Sequence, residues 1–398
     1  MKHEAGSDLN SEVFFSSCPR GLETLLADEV RSLGAHDIKT VGGGVQWQGN
    51  WQTCYRINLH SRLATRVLWL LTKRRYQNEE DIYRLALSLP WGQWMTSGQS
   101  IRVYVSAHHC PLKSLNFVTL KIKDAVCDHL RQHTGRRPDV DVSAPDIRIY
   151  AYLDTEEVSL YLDTSGEPLY KRGFKHSTVK APLKENLAAG ILLLSGWQPE
   201  KVLVDPMCGS GTFLLEAVMM ALKIAPGLNR QFGLQKLRGF DAALWQSLQT
   251  EARQQRLPAR QLSVYGSDID PHELRSATDN LLAAELLSCV TLKQADILEL
   301  AAPAEQGVMV CNPPYGQRLG ERSELLDFYP RLGSALKKSW PGWYCCFLSA
   351  DTELPHGLGL KARKKTPLFN GALECRLYQF QMIAGSMRHI RPDTENVV

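Results

Sequence analysis

The chain has 398 residues, 44% of them hydrophobic and 22% charged, with a net charge of +4. That length suggests two or three domains, and so small a net charge leaves any polyanion to be held by local patches. Ten cysteines without a CxxC pair argue against zinc ribbons and disulfide scaffolds and predict free thiols in a reducing cytoplasm. The polar start Met1-Lys2-His3-Glu4 has no signal-peptide core, and no run of about 18 apolar residues predicts a membrane span.

Residues 1–11 read as a frayed leader. Val13-Phe14-Phe15 begins a strand, and Leu22, Leu25, Leu26, Val30 and Leu33 recur at helical spacing up to a Gly34 cap. Ile38–Val41 and Gly44–Trp47 form a hairpin around Gly42-Gly43. A helix over Trp51–Leu59 and a strand over Arg66–Leu71 complete a small α+β region, placed at 12–72. A second unit, 73–165, holds helices at Glu79–Leu89 and Phe117–Arg131 and strands at Ser100–Val105, Asp146–Leu153 and Val158–Asp163. Basic residues gather here, among them Lys73, Arg74, Arg75, Lys121, Lys123, Arg131 and Arg137, near Tyr76, His108, His109 and Phe117. Each charge alone suits a solvated face; as a set they suggest a surface for RNA.

Residues 166–182 read as a linker. From 183 to 385 helices alternate with strands at Val202–Val204, Leu262–Gly266, Val290–Leu292, Gly307–Cys311 and Trp343–Ser349. A closing hairpin spans Lys364–Phe369 and Leu373–Ile383 around Asn370-Gly371. This rhythm predicts an α/β domain with a parallel sheet and right-handed crossovers. Pro226–Arg260 is too long for a simple connection. It predicts an inserted helical element that covers a site or merely decorates the fold. Residues 386–398 read as a disordered tail.

The chemistry concentrates at strand ends. Asp205-Pro206-Met207-Cys208-Gly209-Ser210-Gly211-Thr212 is a strand exit, a glycine turn and a helix start. It is neither GxGxxG nor GxxxxGK[ST], so no phosphate cradle is expected. The turn leaves room for a small ligand, with Asp205 able to hold an amino group. Asp268 follows the second strand, where an acid pairs with ribose hydroxyls, while Asp270 before Pro271 suits an N-cap. Asp296, with Ile297 behind it, follows the third strand and could accept from an adenine amine. After the fourth strand, Asn312-Pro313-Pro314-Tyr315 sets an amide and a carbonyl as acceptors for an exocyclic amine, with a ring for a base to stack on.

Together these two motifs resemble amino-methyltransferases that use S-adenosylmethionine. The whole chain, from about residue 13 to 383, resembles THUMP-domain RNA methyltransferases, above all the guanine-N2 half of the bacterial 23S rRNA enzymes. Cys18-Pro19-Arg20-Gly21-Leu22-Glu23, Asp139–Arg148, Ala181–Ala189 and Ser195–Pro199 carry that likeness. It implies a ferredoxin-like region joined to a THUMP domain, then a Rossmann-like class I sheet of seven strands, the last antiparallel. It also implies that Cys208–Thr212 wrap the methionine part of the cofactor. Asp268 would hold the ribose, Asp296 and Ile297 the adenine, and Ile269 and Asn186 would touch the cofactor. Asn312, Pro313, Pro314 and Tyr315 would hold the target base. No metal and no cysteine nucleophile is needed, since Pro-Pro stands where a 5-methylpyrimidine enzyme carries Pro-Cys. A tRNA guanine or an adenine N6 of RNA or DNA is an alternative target. A non-catalytic RNA-binding protein is an alternative of another class.

Overall fold

The structure, a computed structural model, describes residues 11–174, 183–313 and 319–383. Most of the expected leader, residues 175–182 of the linker, Pro314, Tyr315 and the tail lie outside the described residues. The chain divides into two compact units, Met1–Phe174 with Lys223–Leu257, and Lys175–Leu222 with Pro258–Val398.

The first unit opens with β1 (Glu12–Ser17), α1 (Glu23–Ser32), β2 (His36–Val41), β3 (Gly44–Gly49), α2 (Trp51–His60) and β4 (Arg66–Arg75). This is the βαββαβ order of a ferredoxin-like region. α1 stops where Gly34 takes φ +103°, a left-handed conformation that a side chain disfavours. The Asn50 side chain caps α2 by accepting from Thr53 N. There follow α3 (Glu79–Ser88), α4 (Trp91–Trp94), β5 (Ile101–Ala107), α5 (Leu115–Thr134), β6 (Ile147–Leu153) and β7 (Glu157–Asp163). All seven strands share one sheet, in the order β2-β3-β1-β4-β7-β6-β5. β4 runs to Arg75, further than its apolar run, because Thr72–Arg75 pair with Glu157–Leu160 of β7. That antiparallel pairing joins the two sequence regions into one structural body.

The second unit begins with α6 (Glu185–Leu194), β8 (Leu203–Asp205) and α7 (Thr212–Ala221). The chain then returns to the first unit for Lys223–Leu257, which carries α8 (Ala242–Gln255). There Trp245 meets the Tyr55 ring edge-on at 5.8 Å, and Gly227 N donates to the Leu59 carbonyl at 2.9 Å. Arg238 N donates to Trp94 O at 2.8 Å. The Arg230 guanidinium donates to the carbonyls of Ser165, Glu167, Pro168 and Lys171. The insertion is therefore part of the first unit's packing, a role that neither expectation, covering or decorating, had given it.

The second unit resumes with β9 (Val264–Asp268), α9 (Pro271–Ala283), β10 (Thr291–Gln294), β11 (Val308–Cys311) and α10 (Leu319–Ser339). It closes with β12 (Tyr344–Ser349), α11 (Leu354–Gly357), β13 (Lys364–Asn370) and β14 (Leu373–Gln381). The sheet order is β10-β9-β8-β11-β12-β14-β13. β8 to β12 run parallel, and β14 is antiparallel to both of its neighbours. This is the expected Rossmann-like seven-stranded sheet. Strand order reverses between β8 and β11, and the gap beyond their C-terminal ends is the switch point where such sheets bind ligands.

Candidate active site

Parallel register brings the expected residues to one edge. Leu203 and Val204 of β8 pair with Val308 and Met309 of β11, so the chain leaves both strands side by side, at Asp205 and at Asn312. On the other flank Asp205 pairs with Gly266, and Gln294 of β10 pairs with Asp268. Asp268 is the last residue of β9, two residues beyond the expected strand end, because the ladder with β10 continues that far.

The glycine turn is tied to this edge by its backbone. Gly209 N donates to the Asp268 carboxylate at 2.9 Å, and Cys208 N to the Ser267 carbonyl at 2.9 Å. Gly209 and Gly211 sit at φ +50° and +78°. A Cβ on Gly211 would stand 3.1 Å from the Ala277 Cβ, so the turn packs against α9 at the closest approach a glycine permits. Asn280 of α9, buried, donates from Nδ2 to the Ser210 carbonyl at 3.0 Å. Sequence reading missed Asn280; its one signal is a polar residue on the buried face of an amphipathic helix. Glu273, also missed, has an inaccessible Oε2 with no hydrogen-bond partner, 3.7 Å from where a Gly209 Cβ would stand. Burial raises its carboxyl, and Asp268 and Asp270 raise it further.

Asp205 is the sharpest electrostatic feature. It is 1% exposed and accepts from Met207 N, yet its Oδ1 has no partner. Burial lifts its pKa well above the carboxylate range, and the nearby Asp268 adds to the lift. A buried acceptor without a partner is costly in the ligand-free protein. Ile269, beside Asp268, leaves 62% of its surface exposed at the strand end, as an apolar wall for a flat ligand would. Ile297 differs: its side chain is 2% exposed and packs in the core with Met309 and Tyr329, which leaves only its backbone to face a ligand. The Asp296 carboxylate accepts from Leu298 N at 2.9 Å. Asp270 caps α9 as expected, accepting from His272 N. Asn186 is fully buried near the start of α6, Ser210 and Thr212 are buried, and Met207 and Asn312 are half-buried, with Pro313 buried beside Asn312.

Two buried cysteines, Cys208 and Cys311, flank the motifs, and burial first, then Asp205 and Asp268, push both thiols up. Among the described residues no group of three His, Cys, Asp or Glu is placed to hold a metal ion, and no helix is long and apolar enough to cross a membrane.

The basic set of the first unit is less free than its sequence suggests. Lys73 pairs with Glu157, Arg75 with Glu156, Lys121 with Glu80, Arg131 with Asp128 and Arg137 with Asp124. Tyr76 is buried and donates its hydroxyl to the Asp154 carbonyl.

Comparison with known proteins agrees with this architecture. The profile described as "RMKL-like, methyltransferase domain" matches residues 172–379, the THUMP domain 76–163 and the RlmL ferredoxin-like domain 13–68. The chain is 39% identical over 394 residues to the ribosomal RNA large subunit methyltransferase K/L of Aeromonas salmonicida, covering 94% of itself and 55% of that protein. It is 38% identical to the protein of that name from Syntrophotalea carbinolica, covering 93% of itself and 53% of the relative. It thus spans about half the length of these curated relatives. Among solved structures, SMU.472 in complex with SAH aligns with a TM-score of 0.85 and 30% identity over 95% of this chain and 100% of that one. TrmN from Thermus thermophilus shares the fold, with a TM-score of 0.70 and 21% identity over 93% of this chain and 99% of that one.

Proposed function

Because this chain belongs to the RMKL-like methyltransferase family and carries a THUMP domain, we propose that it methylates the N2 amine of a guanine in 23S rRNA, using S-adenosylmethionine. The observation that carries this reading is the pairing of β8 with β11, which sets the buried, half-partnered Asp205 carboxylate beside Asn312. The names of the K/L relatives and the SAH held by SMU.472 support the substrate and the cofactor.

The residues present fit that cofactor. The free Oδ1 of Asp205 accepts from its ammonium, and the Cys208–Thr212 turn lies along its methionine part. Asp268 accepts from the ribose hydroxyls while keeping Gly209 N. Asp296 and the Ile297 backbone would hold the adenine, and Ile269 and Asn186 would touch the cofactor. When bound, S-adenosylmethionine supplies an electrophilic methyl group. The Asn312 side-chain oxygen and the Pro313 carbonyl accept the two protons of the guanine amine, orient its nitrogen and stabilise the positive charge that grows on it. Alignment of the amine provides most of the rate, and no metal or covalent enzyme intermediate takes part. The target base is unpaired or extruded before it enters. The first unit, ferredoxin-like region and THUMP domain together, presents the RNA, and the protein works in the cytoplasm.

A tritium-transfer assay on deproteinised rRNA, tRNA and DNA tests this. Label in 23S rRNA, mapped to a guanine by mass spectrometry, is the expected result. Label in DNA alone refutes the RNA reading. RNA binding without label on any substrate favours the non-catalytic alternative.

A further inference from the structure

At the opposite edge of the same sheet lies a second concave surface. Val202 precedes β8, Gly307 precedes β11, Tyr344 opens β12 and Gln381 ends the antiparallel β14, so all four meet at the N-terminal ends of the parallel strands. They line an open cleft of about 890 Å³, within the size range of ligand sites. Its walls are basic: Lys201 stands on one side, Arg363 and Lys364 on the other, with Glu200 as the one acidic residue among its lining.

These cations differ from those of the first unit. Lys201 Nζ donates to the Gly196 carbonyl at 3.0 Å, which uses one of its three protons. Arg363 and Lys364 are exposed, and neither forms an ion pair among the described residues, unlike Lys73, Arg75, Lys121 and Arg137. The surrounding sequence is charge-biased as well. Residues 330–369 carry seven Lys or Arg and two acids, an excess larger than the +4 of the whole chain. β13 is also the edge strand of its sheet, with backbone N–H groups on its outer side free of the ladder. An open, basic cleft with one acidic wall residue suits a polyanion running through it better than an enclosed small molecule.

We propose that this cleft binds the sugar-phosphate backbone of the substrate RNA, away from the edge that holds the target base. The inference rests on the RNA reading above. It assigns Lys201, Arg363 and Lys364 to phosphate contacts, which add affinity and carry no sequence preference.

The test is fluorescence anisotropy with a labelled 23S rRNA fragment across a salt series, comparing the full chain with its R363E/K364E variant. Both positions are exposed, so the variant should fold, and calorimetric binding of S-adenosylhomocysteine serves as the control. The expected result is a Kd raised about tenfold at fixed salt and a salt-dependence slope reduced by roughly one to two, with S-adenosylhomocysteine binding unchanged. An unchanged Kd and slope overturn the inference while leaving the RNA reading intact. A wild-type chain that binds no RNA overturns both. Competition by inorganic phosphate or a mononucleotide at concentrations similar to RNA, counted in phosphates, would reassign the cleft to a small anion and also overturn it.

Discussion

Asp205→Asn should make the ligand-free protein more stable and the cofactor site worse. The wild-type carboxylate is fully buried, has one bonded oxygen and one orphan, and stands near Asp268. Asparagine keeps the acceptor for Met207 N and removes the charge. Relief of the buried charge, less the cost of the amide N–H left without a partner, is worth roughly 1–3 kcal/mol, and in a unit of this size each kcal/mol raises the melting temperature by about 2–4 °C. The sign with pH follows from the direction of the shift. A carboxyl whose folded pKa is raised contributes stability that is present below its unfolded pKa and lost as pH rises through the folded one. The advantage of the variant should therefore widen from acidic to neutral pH and nearly vanish below the ordinary carboxylate range. Loss of the charge-assisted bond to an ammonium costs about 1.5–3 kcal/mol, or roughly ten- to more than a hundredfold in S-adenosylmethionine affinity. Scanning calorimetry from acidic to neutral pH and titration calorimetry read the two effects. A variant that is less stable at neutral pH refutes the electrostatic account, and one that binds the cofactor as tightly as wild type refutes the ammonium assignment.

Three further outcomes follow from the same geometry. Asn312→Ala should leave cofactor affinity nearly unchanged and lower turnover by about a hundredfold or more, read as kcat with 23S rRNA; unchanged activity removes Asn312 from the amine. Gly211→Ala places a methyl 3.1 Å from Ala277 at φ +78°, and should destabilise by about 1–3 kcal/mol in urea unfolding while weakening cofactor binding. Arg230→Ala removes the donor shared by four carbonyls of residues 165–171. It should cost about 2–4 kcal/mol of stability and leave the calorimetric affinity for S-adenosylhomocysteine within about twofold, because that site belongs to the other unit.

Much of this architecture is legible in the sequence. The run Val202–Thr212 announces a strand, a turn and a helix because buried apolar residues, paired glycines and a new helical period coincide within eleven positions. Asn312 and Pro313 are equally plain, as polar and rigid residues after a four-residue apolar strand. What escaped was set by distant partners. The end of β9 depends on its ladder with β10, and the reach of β4 on β7. Asn280 matters through a bond to Ser210, 70 positions away in sequence, and Glu273 through its nearness to the Gly209 turn. The core position of Ile297 is invisible in a turn beyond a short strand. The ion pairs of the basic set were not readable because the acidic partners come from neighbouring strands and helix turns. Conversely, the cleft at the far edge is assembled from segments near 200, 307, 343, 363 and 381 that have no common motif.

The return of Lys223–Leu257 to the first unit has a consequence for synthesis. The chain crosses between units three times, at 174/175, 222/223 and 257/258. During translation the first 174 residues emerge without Phe232, Leu234 and Trp245, all buried in the finished protein. Their surroundings stay uncovered until α6, β8 and α7 have been made. The N-terminal unit therefore cannot finish folding until the first part of the other unit, Lys175–Leu222, has been made, unlike domains made in simple succession. Cutting the chain at residue 174 would separate it from part of its own interior.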